Sequence, residues 1–347
     1  MLPLNPDTWS LTLSLVIFAL CAAAIGVFGT WITKVVDQLA DRTGVGEAVA
    51  GALLLGAATS LSGAVLSVTA AWNGHPELAV GNALGGIAVQ TLFLAVADFF
   101  HRQANLEHAA ASAANMMQNA LLISLLALIL LAPGLPETTV WGVHPVTPVL
   151  LALYVYGIGM VRGARQHPMW RPADTRTTKP DTPDDTEAMP SLGQLWLRFL
   201  GLMAVLGFAG WLLEPAATRI ADGAGLELSV VGVLLTAIAT SLPELVTSIA
   251  AVRRGALTLA IGGIIGGNAF DTLFTAASDI AYRDGSIYHA IPPTLITWLT
   301  LTILMCGVLM MGLVRRQERG LAGIGFESVG IIGLYALGVV LMLTGGS

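Results

Sequence analysis

Two stretches of the chain carry one pattern. Residues 51–102 contain Ala58-Thr59-Ser60-Leu61, Ser67, Gly74, Leu78-Ala79, Gly81, Gly85-Gly86, Thr91-Leu92-Phe93, Asp98 and Arg102. Residues 232–283 contain Ala239-Thr240-Ser241-Leu242, Ser248, Gly255, Leu259-Ala260, Gly262, Gly266-Gly267, Thr272-Leu273-Phe274, Asp279 and Arg283. They align without a gap at a constant offset (240 − 59 = 181). Chance does not produce such agreement over fifty-odd positions, so the unit is an internal repeat.

The solvent around this repeat follows from composition. Of 347 residues, 55% are hydrophobic and only 11% charged, and mean hydropathy is +0.77. A soluble domain carries roughly 25% charged residues. So much apolar surface needs the bilayer as its solvent. The 16 Lys and Arg are scattered, which excludes a nucleic-acid surface. Cys21 and Cys306 lie in apolar runs and read as packed thiols. The first apolar stretch follows Asp7 and no basic residue, so it reads as a first membrane helix rather than a cleaved signal.

A spanning helix needs about 20 mostly apolar residues. About ten segments qualify, near 11–33, 45–71, 78–100, 110–132, 143–161, 195–213, 228–252, 256–281, 290–314 and 323–344. Threading them alternately puts Lys34, Arg42, Arg102, Arg162, Arg165, Arg171, Arg176, Lys179, Arg198, Arg253, Arg254, Arg315, Arg316 and Arg319 on one side. Only Arg219 and Arg283 fall on the other. The basic side is cytoplasmic. A multi-pass protein of the cell (inner) membrane with both termini outside is expected.

Residues 163–193 carry Pro172, Pro180, Pro183 and Pro190 among mixed charges, without apolar periodicity. This reads as a flexible cytoplasmic linker, either a plain tether or a regulatory segment. It separates a first half, 1–162, from a second, 194–347. Each half holds five segments and one repeat copy, and the copies start on opposite sides of the bilayer. The expected fold is an all-α membrane protein of about ten transmembrane helices in two inverted five-helix repeats. In such folds the site lies at the repeat interface near the midplane.

A carboxylate at membrane depth costs roughly 2.5–3.5 kcal/mol or more. Most acids sit in loops or at helix ends, and two lie inside predicted spans away from the ends: Glu244 in Thr240-Ser241-Leu242-Pro243-Glu244, and Asp271 in Gly266-Gly267-Asn268-Ala269-Phe270-Asp271. Each is either a buried, protonated structural carboxyl or part of an ion site. Pro243 lacks an N–H and clashes with the carbonyl four residues back, which frees carbonyls near Ala239 and Thr240. Thr240, Ser241 and Ser248 add hydroxyls at helical spacing. Hard cations such as Ca²⁺ and Na⁺ favour this mixture. The absence of a His or Cys cluster argues against a soft metal. Asn268 is either a ligand or an interhelical hydrogen bond. Gly81-x-x-x-Gly85 and Gly262-x-x-x-Gly266 read as close-packing motifs. Asp98 and Asp279, beside Arg102 and Arg283, read as interfacial ion pairs or helix-end anchors rather than parts of an ion path. No nucleophile–base constellation supports an enzyme.

At these residues the chain resembles the calcium/cation antiporter superfamily, whose motif runs roughly G-T-S-L-P-E followed by G-S-N-x-x-[ND]. The resemblance implies antiport of Ca²⁺ or a similar cation against Na⁺ or H⁺, with lipid and the transported cations as partners and no cofactor. It carries ion coordination to Glu244 and Asp271, assisted by Thr240 and Ser241, with Asn268 in the same motif. The first copy departs from the pattern. Thr59 and Ser60 are kept, but Ser62 stands for proline, Gly63 for glutamate and Ile87 for asparagine, and Gln90 faces Asp271's position. Glycine (Gly86, Gly267) replaces serine in both copies. Without Pro, the first copy's helix is expected to be more continuous, with Gly56 and Gly63 as its flexible points. Two carboxylates balance one divalent ion or two monovalent ions, so exchange of one divalent cation for two H⁺ or Na⁺ is expected. A degenerate family member, acting as an ion sensor or partner subunit, is the alternative.

Overall fold

The structure, a computed structural model, describes residues 6–43, 52–99, 105–170, 190–318, 320 and 324–345. Most of the 163–193 linker lies outside the described residues, as do Arg102, Arg171, Arg176, Lys179 and Arg319. Among the described residues the chain is mostly helical, with no strand beyond one isolated Val140–Val143 bridge.

The helices follow the apolar runs. In order they are α1 (Leu11–Thr43), α2 (Ala52–Thr59), α3 (Leu61–Trp72), α4 (Pro76–Asp98), the short α5 (Leu106–Ala110), α6 (Ala113–Leu131), α7 (Val146–Gln166) and α8 (Leu192–Ala224). Then come α9 (Leu228–Val230), a π-helical turn (Val231–Thr236), α10 (Ala237–Thr240), α11 (Leu242–Arg254), α12 (Leu257–Ala281), α13 (Ile287–Ala290), α14 (Pro293–Arg315) and α15 (Phe326–Thr344). Local signals set several ends. Ser112 caps α6 by accepting from Asn115 N, and Ser191 and Gln194 form a capping box at α8, each meeting helix donors that lack internal partners. Gly255 ends α11 in the left-handed conformation that glycine adopts without strain.

Among the described residues, seven helices are long and apolar enough to cross a membrane: α1, α4, α6, α7, α8, α14 and α15. The pair Leu228–Thr240 and Leu242–Arg253, bent by 46°, makes eight if counted as one span. α1 continues ten residues past the expected limit at 33, and α8 outruns 195–213 at both ends. Hydropathy registers lipid contact, whereas these two helices extend along each other. α4 is central: 89% of its apolar window is buried, against 22% in α1 and 28% in α7, α8 and α15. The outer helices turn Leu15, Val16, Leu20, Phe208 and Trp211 outward, as a lipid-facing surface requires. Cys21 and Cys306 are buried free thiols.

Contacts recur at the repeat's offset. A side chain at Gly29 of α1 would overlap Pro243, and one at Gly210 of α8 would overlap the Ser62 backbone. Gly29 and Gly210 are equivalent positions, as are Ser62 and Pro243. Each long helix therefore crosses a broken helix of the opposite half through one glycine. Asp98 accepts from Leu106 N (2.7 Å), Gly325 N (3.1 Å) and Ser328 Oγ (3.0 Å). Asp279 accepts from Ile287 N (3.3 Å), His144 N (2.8 Å) and Thr147 Oγ1 (2.6 Å). The partners correspond one for one at the same offset. Of the two expected readings at Asp279, the helix-end anchor holds and the ion pair does not: Arg283 donates instead to the Trp141 carbonyl (3.3 Å). A buried aspartate there is met by donors on three sides and serves as a bracket joining helix ends.

The glycine motifs also divide. Gly81 and Gly85 lie against the Ser229–Val233 backbone, as close packing predicts, whereas Gly262 is met by the Asn115 side chain of α6.

Candidate cation site

The repeat's two Thr-Ser turns meet at the centre of the bundle. Ser60 separates α2 from α3 with φ −84° and ψ 0°. Ser241 separates α10 from α11 with φ −95° and ψ 4°. Only the second has proline two residues on. The expectation of a more continuous first-copy helix is therefore wrong. α8 packs through Gly210 onto Ser62 beside this turn, as α1 packs through Gly29 onto Pro243 beside the other.

Ser60, Gly63, Asn82, Gly86, Gln90, Thr240, Ser241, Glu244, Asp271 and Phe274 line one small cavity between these turns, α4 and α12. Glu244 and Asp271 are both buried, and each lies within the other's electrostatic reach. Gln90 Nε2 donates to Asp271 Oδ2 at 2.7 Å and to Ser241 Oγ at 3.3 Å. Gln90 and Asp271 are themselves equivalent positions 181 residues apart. The repeat thus closes on itself at this bond. Ser60 sits beside Asp271. Thr240 Oγ1 spends its proton on the Thr236 carbonyl (2.9 Å) and the Asn82 carbonyl (3.3 Å).

Two of the expected residues do not line the cavity. Thr59 approaches Glu244, but its hydroxyl donates to the Gly56 carbonyl (3.4 Å). Asn268 Nδ2 donates to Thr91 Oγ1 (3.0 Å), so it ties α12 to α4. Ser248 likewise turns away, donating to the Leu245 carbonyl (3.0 Å).

Asn82 was not anticipated. Its Nδ2 donates to the Gly63 carbonyl (3.2 Å) and Ser67 Oγ (2.9 Å), and lies 3.5 Å from where a Gly63 Cβ would stand. The aligned residue in the second copy is Gly263. One copy has glutamate on the broken helix and glycine on its neighbour, and the other has glycine and asparagine. The amide occupies space that the missing acid vacates. The signal lay in the alignment: a lone amide in an apolar run, opposite a glycine.

Glu244 Oε1 and Oε2, Asp271 Oδ1, Gln90 Oε1 and Asn268 Oδ1 accept no hydrogen bond from the protein. No Lys, Arg or His lines the cavity. Two adjacent buried carboxyls without a counter-charge carry a penalty of several kcal/mol per ion unless protons or cations neutralise them. The remaining donors are all hard oxygens, so the chemistry suits hard cations and protons.

The sequence model of the sodium/calcium exchanger protein family matches residues 13–161 and 194–344. The chain belongs to that family. Among the chain's relatives, "Putative antiporter CaxA" of Alkalimonas amylolytica is 29% identical over 253 residues, covering 68% of this chain and 70% of its own. "Inner membrane protein YrbG" of Escherichia coli (strain K12) is 26% identical over 247 residues, 70% of this chain and 72% of its own. In fold, the chain superposes on the H⁺/Ca²⁺ exchanger CAX with a TM-score of 0.68 at 15% identity, covering 95% of this chain and 82% of that one. On the sodium–calcium exchanger NCX_Mj the TM-score is 0.61 at 18% identity, covering 95% and 99%.

Proposed function

We propose that the protein is a secondary active antiporter that exports Ca²⁺ or a similar hard cation in exchange for Na⁺ or H⁺ by alternating access. The observation that carries this reading is the Glu244–Asp271 pair: two buried carboxyls in mutual reach, free oxygens around them, and no basic side chain lining their cavity. A static structural role would need carboxyls held protonated by hydrogen bonds, yet Glu244 Oε1 and Oε2 and Asp271 Oδ1 have no such partner among the described residues. In this reading Glu244 and Asp271 are the charged ligands. Ser60, Gln90, Thr240 and Ser241 supply neutral oxygens, and Thr59 and Asn268 support them from behind. The charge of the pair matches one divalent cation or two monovalent ions, so the cycle is electroneutral, one divalent cation for two H⁺ or Na⁺.

The architecture proposed with it counts α2–α3 as a second broken crossing and α12 as a further one. Ten crossings then form two inverted five-helix halves, 1–162 and 194–347, joined by a cytoplasmic linker at 163–193. The charge bias puts both termini outside the inner membrane.

The test is uptake of radiolabelled Ca²⁺ into proteoliposomes under an outward Na⁺ or H⁺ gradient, run beside Glu244→Gln. Gradient-driven uptake that disappears in the variant supports the reading, and the effective gradient names the coupling ion. Net charge movement during exchange refutes the stoichiometry. Folded protein that moves no hard cation under either gradient refutes antiport and leaves the degenerate, non-transporting role.

A further inference from the structure

A second pair of acids lies away from the cavity, at the end of the bundle that carries Arg315 and Arg316. Glu107 on α5 and Glu327 in the first turn of α15 are each 1% exposed. Their carboxyls meet each other, with Asp98 close by. Among the described residues, all four of their oxygens lack a hydrogen-bond donor. The three donors at this junction, Leu106 N, Gly325 N and Ser328 Oγ, go to Asp98. The chain makes room for the pair. A side chain at Gly325 would overlap the Glu327 carboxyl, and a Cβ at Gly312 would stand 2.6 Å from Glu327 Cγ.

The equivalent junction at the other end is built differently. There Tyr288 holds the place of Glu107 and Val146 that of Glu327. The Tyr288 hydroxyl pairs with Thr147 Oγ1 at 2.8 Å, and Thr147 donates to Asp279. The same bracket is therefore closed at one end by a phenol and a hydroxyl, and at the other by two acids. A bracket needs no acid pair to hold.

We propose that Glu107 and Glu327 form a proton-binding site separate from the cation cavity, in which one proton is shared between the two carboxyls. The shared proton gives one oxygen of each a partner; without it two negative charges are buried in contact. Burial first, then repulsion by Glu327 and Asp98, pushes the Glu107 carboxyl well above the usual carboxylate range.

Among the described residues the surrounding charges do not supply an alternative partner; His101, Arg102 and Arg319 lie outside them. On α5, His108 Nδ1 pairs with the Arg316 carbonyl (2.7 Å). Arg316 donates to the His108 carbonyl (2.9 Å), and Arg315 stacks on Phe326 (5.2 Å). Glu318 offers its backbone carbonyl to Asn105. The half of α12 that faces α5, Leu257–Gly267, has no titratable side chain, and α4 presents Asp98. Loss of the proton sets like charges against each other where α5 and α15 dock on α4, the helix that also carries Gln90.

The proposal does not rest on antiport, and its test needs no transport. Denaturant unfolding of the full chain in detergent is followed against pH for the parent, Glu107→Gln and Glu327→Gln. A folded state that holds one proton more than the unfolded state loses about tenfold in its folding constant per pH unit as pH rises above the ordinary carboxyl range. Glu244 and Asp271 are common to all three proteins, so the difference between parent and variant reads this pair alone. The expected result is a shallower pH slope in both variants, with Glu107→Gln more stable than the parent at alkaline pH. A purely structural role overturns the proposal: the variants then lose stability equally at every pH and keep the parent's slope. If Glu107→Gln does not fold, Glu327→Gln removes the other half of the pair and decides alone.

Discussion

At Ser60 and Ser241 the backbone turns through nearly the same angles, yet Glu244 follows the second turn and Gly63 occupies its place after the first. Gln90 and Asp271, also equivalent, face each other across the cavity at 2.7 Å. One copy of the unit has kept its acids and the other has exchanged them for an amide, Gln90, and a filler, Asn82. The turn keeps its geometry in both copies although only the second has the motif's proline. The difference teaches that symmetry of backbone and asymmetry of charge are separable. Packing sets the first, and a handful of polar side chains set the second.

The comparison is broken most severely by restoring the lost acid. Gly63→Glu brings a Cβ to 3.1 Å from the Phe274 ring, with Asn82 Nδ2 3.5 Å away, and adds a third carboxyl near Glu244. We expect destabilisation on the order of 3–5 kcal/mol, the cost of an uncompensated buried charge, seen as loss of monodisperse protein. The double variant Gly63→Glu/Asn82→Gly recreates the second copy's pattern and should recover much of that yield. Equal behaviour of single and double variants would show that Asn82 does not fill the acid's place.

Gln90→Glu makes the copies alike at the point where they touch. It replaces a donor to Asp271 with a second carboxyl. Exchange should either acquire net charge movement, as a further monovalent ion enters, or slow by about tenfold at alkaline pH, equivalent to about 1.4 kcal/mol. A voltage-sensitive dye in the proteoliposome assay distinguishes these from an unchanged electroneutral cycle, which would remove Gln90 from the site.

Asn82→Ala tests the filler with less violence. It strips hydrogen bonds from the Gly63 carbonyl, Ser67 and Thr240. A loss of about 1–3 kcal/mol is expected in denaturant unfolding, and none if water substitutes for the amide.

The smallest effect concerns the two long helices. α8 is tied to the α3–α4 turn by Glu214, which pairs with His75 Nδ1 (2.9 Å) and Asn73 Nδ2 (3.1 Å). At the equivalent place α1 has Thr33, which bonds only its own helix at the Gly29 carbonyl (3.0 Å). The hydrogen bond that His75 donates to the Glu214 carboxylate raises the His75 pKa from 6.5. A raised histidine stabilises the fold fully below its unfolded value, and that contribution disappears as pH rises through the folded value. His75→Gln should therefore be less stable than the parent near pH 5.5 to 6, by no more than about 1 kcal/mol for a partly exposed pair. The gap should close by about pH 9. A gap that is constant with pH would mean the tie does not depend on the charged imidazole.

Much of this molecule is legible before any coordinates. The repeat, the helical segments, the two membrane acids and the opposition of Gln90 to Asp271 follow from residue order, because an internal duplication preserves register and because lipid demands long apolar runs. What residue order leaves open concerns partners far apart in sequence. The packing beside the break at Ser60 comes from Gly210 of a different helix. Asp98 and Asp279 proved to be brackets because their donors come from elements up to 230 residues away. Thr59, Ser248 and Asn268 carry suitable oxygens, but rotamer and helix phase turn them to backbone or to Thr91. Sequence by itself determined which groups must be buried together, since each copy had to place the same positions at the interface. Only the tertiary structure decided which of those groups face the cavity and which acids are left without donors. Hydrogen bonds are short and directional, and a rotation of one helix by a single residue reassigns them.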